Sequence, residues 1–140
     1  MGIKLHVAWR DKPTRRGFSM IDSQGERAIT VIGERLAPNY RDNLDWDILK
    51  KMDGIFITAS DSEIFKMARS ASILCTTPRV GINTINKSNV SLDGLIGSNL
   101  DPGEEFSFSE LLVKPKYTIK TEGEKAVSYT HLRAHETRSD

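Results

Sequence analysis

The side chains with the most chemical reach in this chain follow short apolar runs. Gly54-Ile55-Phe56-Ile57-Thr58 leads into Ala59-Ser60-Asp61, and Ser72 to Thr76 leads into Thr77-Pro78-Arg79. Gly94-Leu95-Ile96-Gly97 leads into Ser98-Asn99-Leu100-Asp101, and Tyr117 to Thr121 into Glu122-Gly123-Glu124. Hydroxyls, carboxylates and a guanidinium in such places suit a phosphate or sugar ligand, because hydroxyls both donate and accept and Arg forks match anionic oxygens. Polar strand ends are also common in sheet proteins with no ligand at all. Arg79, and Arg15-Arg16 after Pro13-Thr14, have the chemistry to neutralise an anionic substrate group. For Arg15 and Arg16 the alternative is a solvated hairpin end.

Other reactive residue types lead nowhere. His131 and His135 stand four apart with Glu136 beside them, but this is not the His-Glu-x-x-His order of a zinc protease and no third ligand is in view. Cys75 is the single cysteine, which excludes an internal disulfide and a cysteine metal cluster. Its place in Ile73-Leu74-Cys75 reads as a buried structural thiol. His6, on an alternating segment, reads as facing solvent, and Trp46 and Leu49 read as core.

The elements that must position the polar strand ends follow from periodicity. Ile3, Leu5, Val7 and Trp9 alternate with Lys4, His6, Ala8 and Arg10, which predicts a strand with one wet face. Gly17 to Ile21 and Ala28 to Ile32 are two more, with Asp22-Ser23-Gln24-Gly25 as their turn. Helical spacing at Trp46, Leu49 and Met52 precedes the run at 54–58, and Asp61 is a natural N-cap for a helix carrying Ile64, Phe65 and Ala68 on one face. Residues 81–88 are expected as a short helix, 104–112 as another, and 94–97 and 117–121 as strands. Apolar runs alternating with helical segments predict an α/β fold, a parallel sheet of βαβ units whose ligands bind beyond the strands' carboxyl ends.

Several stretches add a more specific likeness. In order they are Gly25-Glu26-Arg27-Ala28-Ile29-Thr30, Gly33-Glu34-Arg35-Leu36, Asp53 to Ala59, Ala68-Arg69, Thr77-Pro78-Arg79, Gly97-Ser98 with Asp101, and Thr121-Glu122-Gly123. Over residues 10 to about 125 this series resembles the ribokinase-like, PfkB-type carbohydrate kinases. The resemblance implies a Rossmann-like three-layer domain with a small antiparallel β lid, and transfer of the ATP γ-phosphoryl group to a sugar or polyol hydroxyl with Mg²⁺. It divides the chain into a lid segment and return strand at 1–32, a central α/β part at 33–125, and a non-native or disordered tail at 126–140. It also suggests a homodimer joined through the lid.

The same resemblance assigns residues. The family's Asn-x-x-Glu motif, which organises magnesium-bound water, corresponds to Ser98 and Asp101 at the same spacing, so Asp101 is the implied metal residue and Ser98 faces the nucleotide. Asp101 ahead of Pro102 equally reads as a helix N-cap. Thr121 and Gly123 match the start of the family's Thr-x-Gly-x-x-Gly phosphate segment, whose last glycine is replaced by Ala126. The family's Gly-Ala-Gly-Asp turn, with its catalytic aspartate and the helix N-terminus that holds developing charge, has no counterpart here. No catalytic residue is therefore assigned, and the chain is expected to be an incomplete, inactive kinase domain. Val127 to Thr137 resembles a translated sequencing-adapter segment. The competing reading is a self-contained, non-catalytic α/β ligand-binding or interaction domain. A generic mononucleotide-binding domain is disfavoured, since neither Gly-x-Gly-x-x-Gly nor Gly-x-x-x-x-Gly-Lys occurs.

Composition sets the outer limits. The 140 residues carry a net charge of +1, with 38% apolar residues, enough for one domain and its core. Lys4, Arg10, Lys12, Arg15 and Arg16 against Asp11 give the first twenty residues +4, leaving −3 for the rest. So even a balance argues against a nucleic-acid partner. The absence of any apolar stretch of about 18 residues argues against a membrane partner, and the charged start against a signal peptide, so a cytoplasmic location is expected.

Overall fold

A computed structural model of the chain describes residues 2–122 and 127–131. The first regular element is the expected hairpin, β1 (Arg16–Ile21) and β2 (Arg27–Ile32), paired antiparallel from Arg16 opposite Ile32 to Ile21 opposite Arg27. Its turn is held by Asp22, whose Oδ1 accepts the N–H groups of Gln24 and Glu26 at 2.8 and 2.9 Å. Gly25 sits there at φ +84°, where a side chain would be strained. All twelve strand residues are exposed, Phe18, Met20, Ile29 and Val31 among them.

Residues 3–10 do not form the expected strand. Their alternation satisfies one condition for a strand, but a strand also needs a neighbour to complete its ladder, and the segment has none among the described residues. It is tied down at its end instead, where the Arg10 guanidinium donates to Ala37 O at 3.1 Å and to Asp42 Oδ2 at 2.6 Å.

The second sheet runs in sequence order, β3 (Gly54–Ile57), β4 (Ile73–Thr76), β5 (Gly94–Ser98), β6 (Tyr117–Thr121) and β7 (Val127–His131). The first four strands are parallel, as the pattern predicts, and β7 returns antiparallel along β6 from within the stretch set apart as a tail. Between them lie α1 (Ser62–Ala68) and α2 (Ile82–Ser88), which pack on each other. Asp61 caps α1, its Oδ1 accepting from Glu63 N and Ile64 N at 3.0 and 3.1 Å, and Ile64, Phe65 and Ala68 turn inward. The core formed there joins these three to Ile57, Leu74, Ile85, Leu92, Leu95 and Leu111, with Trp46 and Leu49 packed against it from a 3₁₀ turn at Trp46–Lys51.

Among the described residues both helices cover one face of the sheet, whereas the three-layer expectation places helices on both. The other face carries Phe56 and Ile73, 55% and 57% exposed. Cys75 pairs with Phe56 in the register and is half-buried rather than fully enclosed. Burial, then the charge of Asp93, push its thiol above the ordinary range, the opposite of an activated cysteine.

The helix expected over 104–112 is absent. Two single 3₁₀ turns, Pro102–Glu104 and Phe108–Glu110, stand in its place. Ser107 starts the second turn afresh, its N–H donating to Glu110 Oε2 at 2.5 Å, so local side-chain bonds win over a continuous helix. Asn86 of α2 fastens the segment, donating to Glu110 O and accepting Leu112 N at 2.8 and 2.9 Å. No helix among the described residues is long and apolar enough to cross a membrane.

Candidate functional site

At the carboxyl ends of β3 to β6 a cleft of about 460 Å³ opens, lined by Arg35, Thr58, Thr77, Arg79, Ser98, Glu104 and Thr121, with Phe56 and Ile96 beneath. That volume is in the range of small-molecule sites, and the position is where open parallel sheets bind ligands.

Each strand end delivers its residue by a local device. After β4, Pro78 fixes the backbone into a 3₁₀ turn capped by Thr77, which brings Arg79 over the cleft. After β5 the Ser98 hydroxyl accepts the Leu100 N–H at 3.1 Å, and Asp101 accepts Gly103 N at 2.8 Å, capping the Pro102–Glu104 turn. That turn folds Glu104 back across β5. A Cβ at Gly97 would lie 3.0 Å from Pro78 Cδ and Cγ and 3.2 Å from Glu104 Oε2, so glycine makes this close approach feasible.

Glu104 is the hub. Its side chain is 12% exposed and accepts from Ser98 N at 2.6 Å, Arg79 Nε at 3.0 Å and the Thr77 hydroxyl at 3.2 Å. Arg79, 49% exposed, makes its second ion pair with Asp101 through Nη2. Arg35 closes the opposite side, donating to Thr58 O at 2.9 Å and Arg79 O at 3.3 Å. Asn99 ties the last two strand ends together, its N–H donating to Thr121 O and its side chain to Glu122 Oε1, both at 2.9 Å.

Three of the sequence candidates, Arg79, Ser98 and Thr121, therefore line one cleft, and Asp101 touches it through Arg79. Arg15 and Arg16 do not line it; Arg16 opens β1, and both are exposed. Gly123 lies outside the described residues, as do Ala126, His135 and Glu136. Pattern reading missed Glu104 and Arg35. Arg35 stands in a stretch that carries the family likeness, and Glu104 closes an Asp-Pro-Gly-Glu turn of the kind that reverses a chain over the strand it leaves.

The donor set does not fit a magnesium ion on Asp101 in this arrangement. One of its oxygens holds Gly103 N and the other Arg79, and the positive charge between Asp101 and Glu104 is the guanidinium itself. Of the two readings of Asp101, the cap is the one its contacts make. Among the described residues no three His, Cys, Asp or Glu side chains gather at one point.

A larger cavity of about 550 Å³ lies away from the strand ends, between residues 4–10 and the segment 36–49. Its walls are mainly apolar, with exposed His6 at the rim. The Arg10 hydrogen bond, with that of the Asn39 N–H, holds the Asp42 carboxyl below the usual range there, so the pair is a fastening of the loop. Comparison with protein-family models, with curated proteins and with solved structures gives no match to this chain.

Proposed function

We propose that residues up to about 125 are the central part of a ribokinase-like carbohydrate kinase, and that the strand-end cleft takes the phosphates of ATP beside a sugar or polyol. The observation that carries this is the meeting of Ser98, Thr121 and Arg79, from three separate strand ends, around one cleft of small-molecule size. Bound ATP supplies the phosphoryl group. The chain's own part is positioning. The Ser98 hydroxyl accepts Leu100 N and keeps its proton free to donate, and the Thr121 hydroxyl stands at the next strand end. Arg35, which bonds only carbonyl oxygens among the described residues, offsets negative charge, Arg79 being already held by Glu104 and Asp101. Among the described residues no helix covers the apolar face at Phe56 and Ile73, which supports a partial domain over the self-contained binding module, because parallel sheets bury both faces.

Titration calorimetry of the 140-residue chain with ATP and ADP tests the reading. Both nucleotides are expected to bind, and Thr121→Val to weaken them about tenfold, the loss of one hydrogen bond to a charged group. A coupled ADP-release assay over a sugar panel is expected to show no turnover, since no base for the attacking hydroxyl is assigned. Absence of nucleotide binding, or equal binding by the variant, overturns the site; turnover overturns the expected inactivity.

A further inference from the structure

A third cavity, of about 320 Å³, shares no lining residue with the strand-end cleft. It lies between the 3₁₀ segment and the last two strands and is lined by Phe106, Phe108, Thr118, Lys120 and Thr130. Its make-up differs from that of an ordinary packing defect in three respects.

The first is an unpaired hydroxyl. Thr118 is 8% exposed, and its Oγ1 has no hydrogen-bond partner among the described residues. A buried hydroxyl left so costs about 1–3 kcal/mol, and natural folds rarely keep one without a use or an unseen partner. Threonine moves its hydroxyl among staggered positions on Cβ, so an acceptor placed in the cavity can take it. The second is a cation without a counter-charge. Lys120 Nζ rests 4.9 Å from the Phe106 ring centre and has no carboxylate partner among the described residues. The third is the pair of phenyl rings, Phe106 and Phe108, half-buried against the core. Thr130, opposite Thr118 in the register, adds a second hydroxyl at the rim.

Two rings, one ammonium and two hydroxyls define a complementary ligand. We infer that this cavity binds a small aromatic carboxylate, its ring against Phe106 and Phe108 and its carboxylate at Lys120 with the threonine hydroxyls donating. A neutral aromatic leaves the ammonium unanswered, and an aliphatic acid forgoes the ring contacts, so both parts are needed for recognition.

The test uses the whole chain, ¹⁵N-labelled, titrated with benzoate, with benzamide and cyclohexanecarboxylate as controls. Benzoate is expected to shift the Thr118 and Lys120 amides and to bind about tenfold more tightly than either control. Lys120→Met, which keeps the stem and removes the charge, is expected to reduce benzoate affinity about tenfold. Thr118→Val gives an independent readout. It removes the unpaired hydroxyl at nearly constant volume, so it should raise the melting temperature while weakening benzoate. The inference is overturned if benzoate up to about 10 mM leaves those amides unmoved, a concentration well above millimolar affinity. It is equally overturned if the shifts map to Ser98 and Thr121, if Lys120→Met binds as before, or if Thr118→Val lowers the melting temperature, which would mean the hydroxyl already has a partner such as water. Should Lys120→Met fail to fold, Lys120→Gln is the substitute, read the same way.

Discussion

Replacing Glu104 by alanine probes the centre of the strand-end network. Its carboxylate accepts from Ser98 N, Arg79 Nε and the Thr77 hydroxyl. The Arg79 share is small, because that guanidinium is half exposed, regains water and keeps Asp101. Thr77 and the Ser98 N–H are sheltered, and each loses a charged acceptor worth about 1.5 kcal/mol, so the loss comes to about 3 kcal/mol. With an unfolding entropy of roughly 2.1 cal/mol/K per residue, about 0.3 kcal/mol/K for 140 residues, the melting temperature should fall by about 10 °C. Glu104→Gln keeps one acceptor oxygen and should fall about half as far. Circular-dichroism melts measure both, and the Ser98 amide proton, in its 2.6 Å bond, should move upfield in each variant. An alanine variant melting within about 2 °C of the parent would refute the network as a structural element.

Two further outcomes follow from the packing. Gly97→Ala forces a methyl against the Pro78 ring at 3.0 Å, where the ring cannot give way, and should cost about 2 kcal/mol, or about 7 °C in a melt. At the other end of the sheet Asp93 Oδ2 accepts Leu74 N at 2.8 Å and Arg69 Nη2 at 2.9 Å. Burial pushes the Asp93 carboxyl up, but the Leu74 N–H and Arg69 outweigh it and hold it below its ordinary value. A lowered carboxyl stabilises the fold above its unfolded pKa of about 4 and withdraws that stability as pH falls through the lower folded value. Asp93→Asn should therefore melt lower at pH 7 and lose part of the acid dependence below about pH 4; melts from pH 7 to 3 show whether the two profiles converge.

How legible the chain was depends on which interactions set each element. β3, β4 and β5 were readable because each is a short, largely apolar run, β6 because Tyr117 to Thr121 is rich in aromatic and β-branched residues, and α1 because Asp61 and the Ile64, Phe65, Ala68 face are local signals. The hairpin was readable from alternation and the Asp22 to Gly25 turn. Residues 3–10 carry the same alternation, yet whether they become a strand depends on a partner elsewhere in the chain, which no window of eight residues contains. The site was half legible for the same reason. Thr77, Arg79, Ser98 and Thr121 follow from knowing where strands stop. Glu104 and Arg35 reach the cleft from connections whose paths are decided by tertiary contacts.

The misread segment and the missed residue are one fact. A helix over 104–112 would start at Glu104 and spend its carboxylate on the helix's own first N–H groups. Breaking that helix into two turns, with Asp101 capping the first and Ser107 restarting the second, leaves Glu104 free to bend back over Gly97 and grip Ser98, Thr77 and Arg79. The same break holds Phe106 and Phe108 against the sheet beside Thr118 and Lys120. One irregular connection thus furnishes the hub of the strand-end cleft and the aromatic wall of the cavity at Thr118 and Lys120. A variant that stiffened 104–112 into a continuous helix would disturb both together, whereas substitutions at Thr121 or at Lys120 separate them.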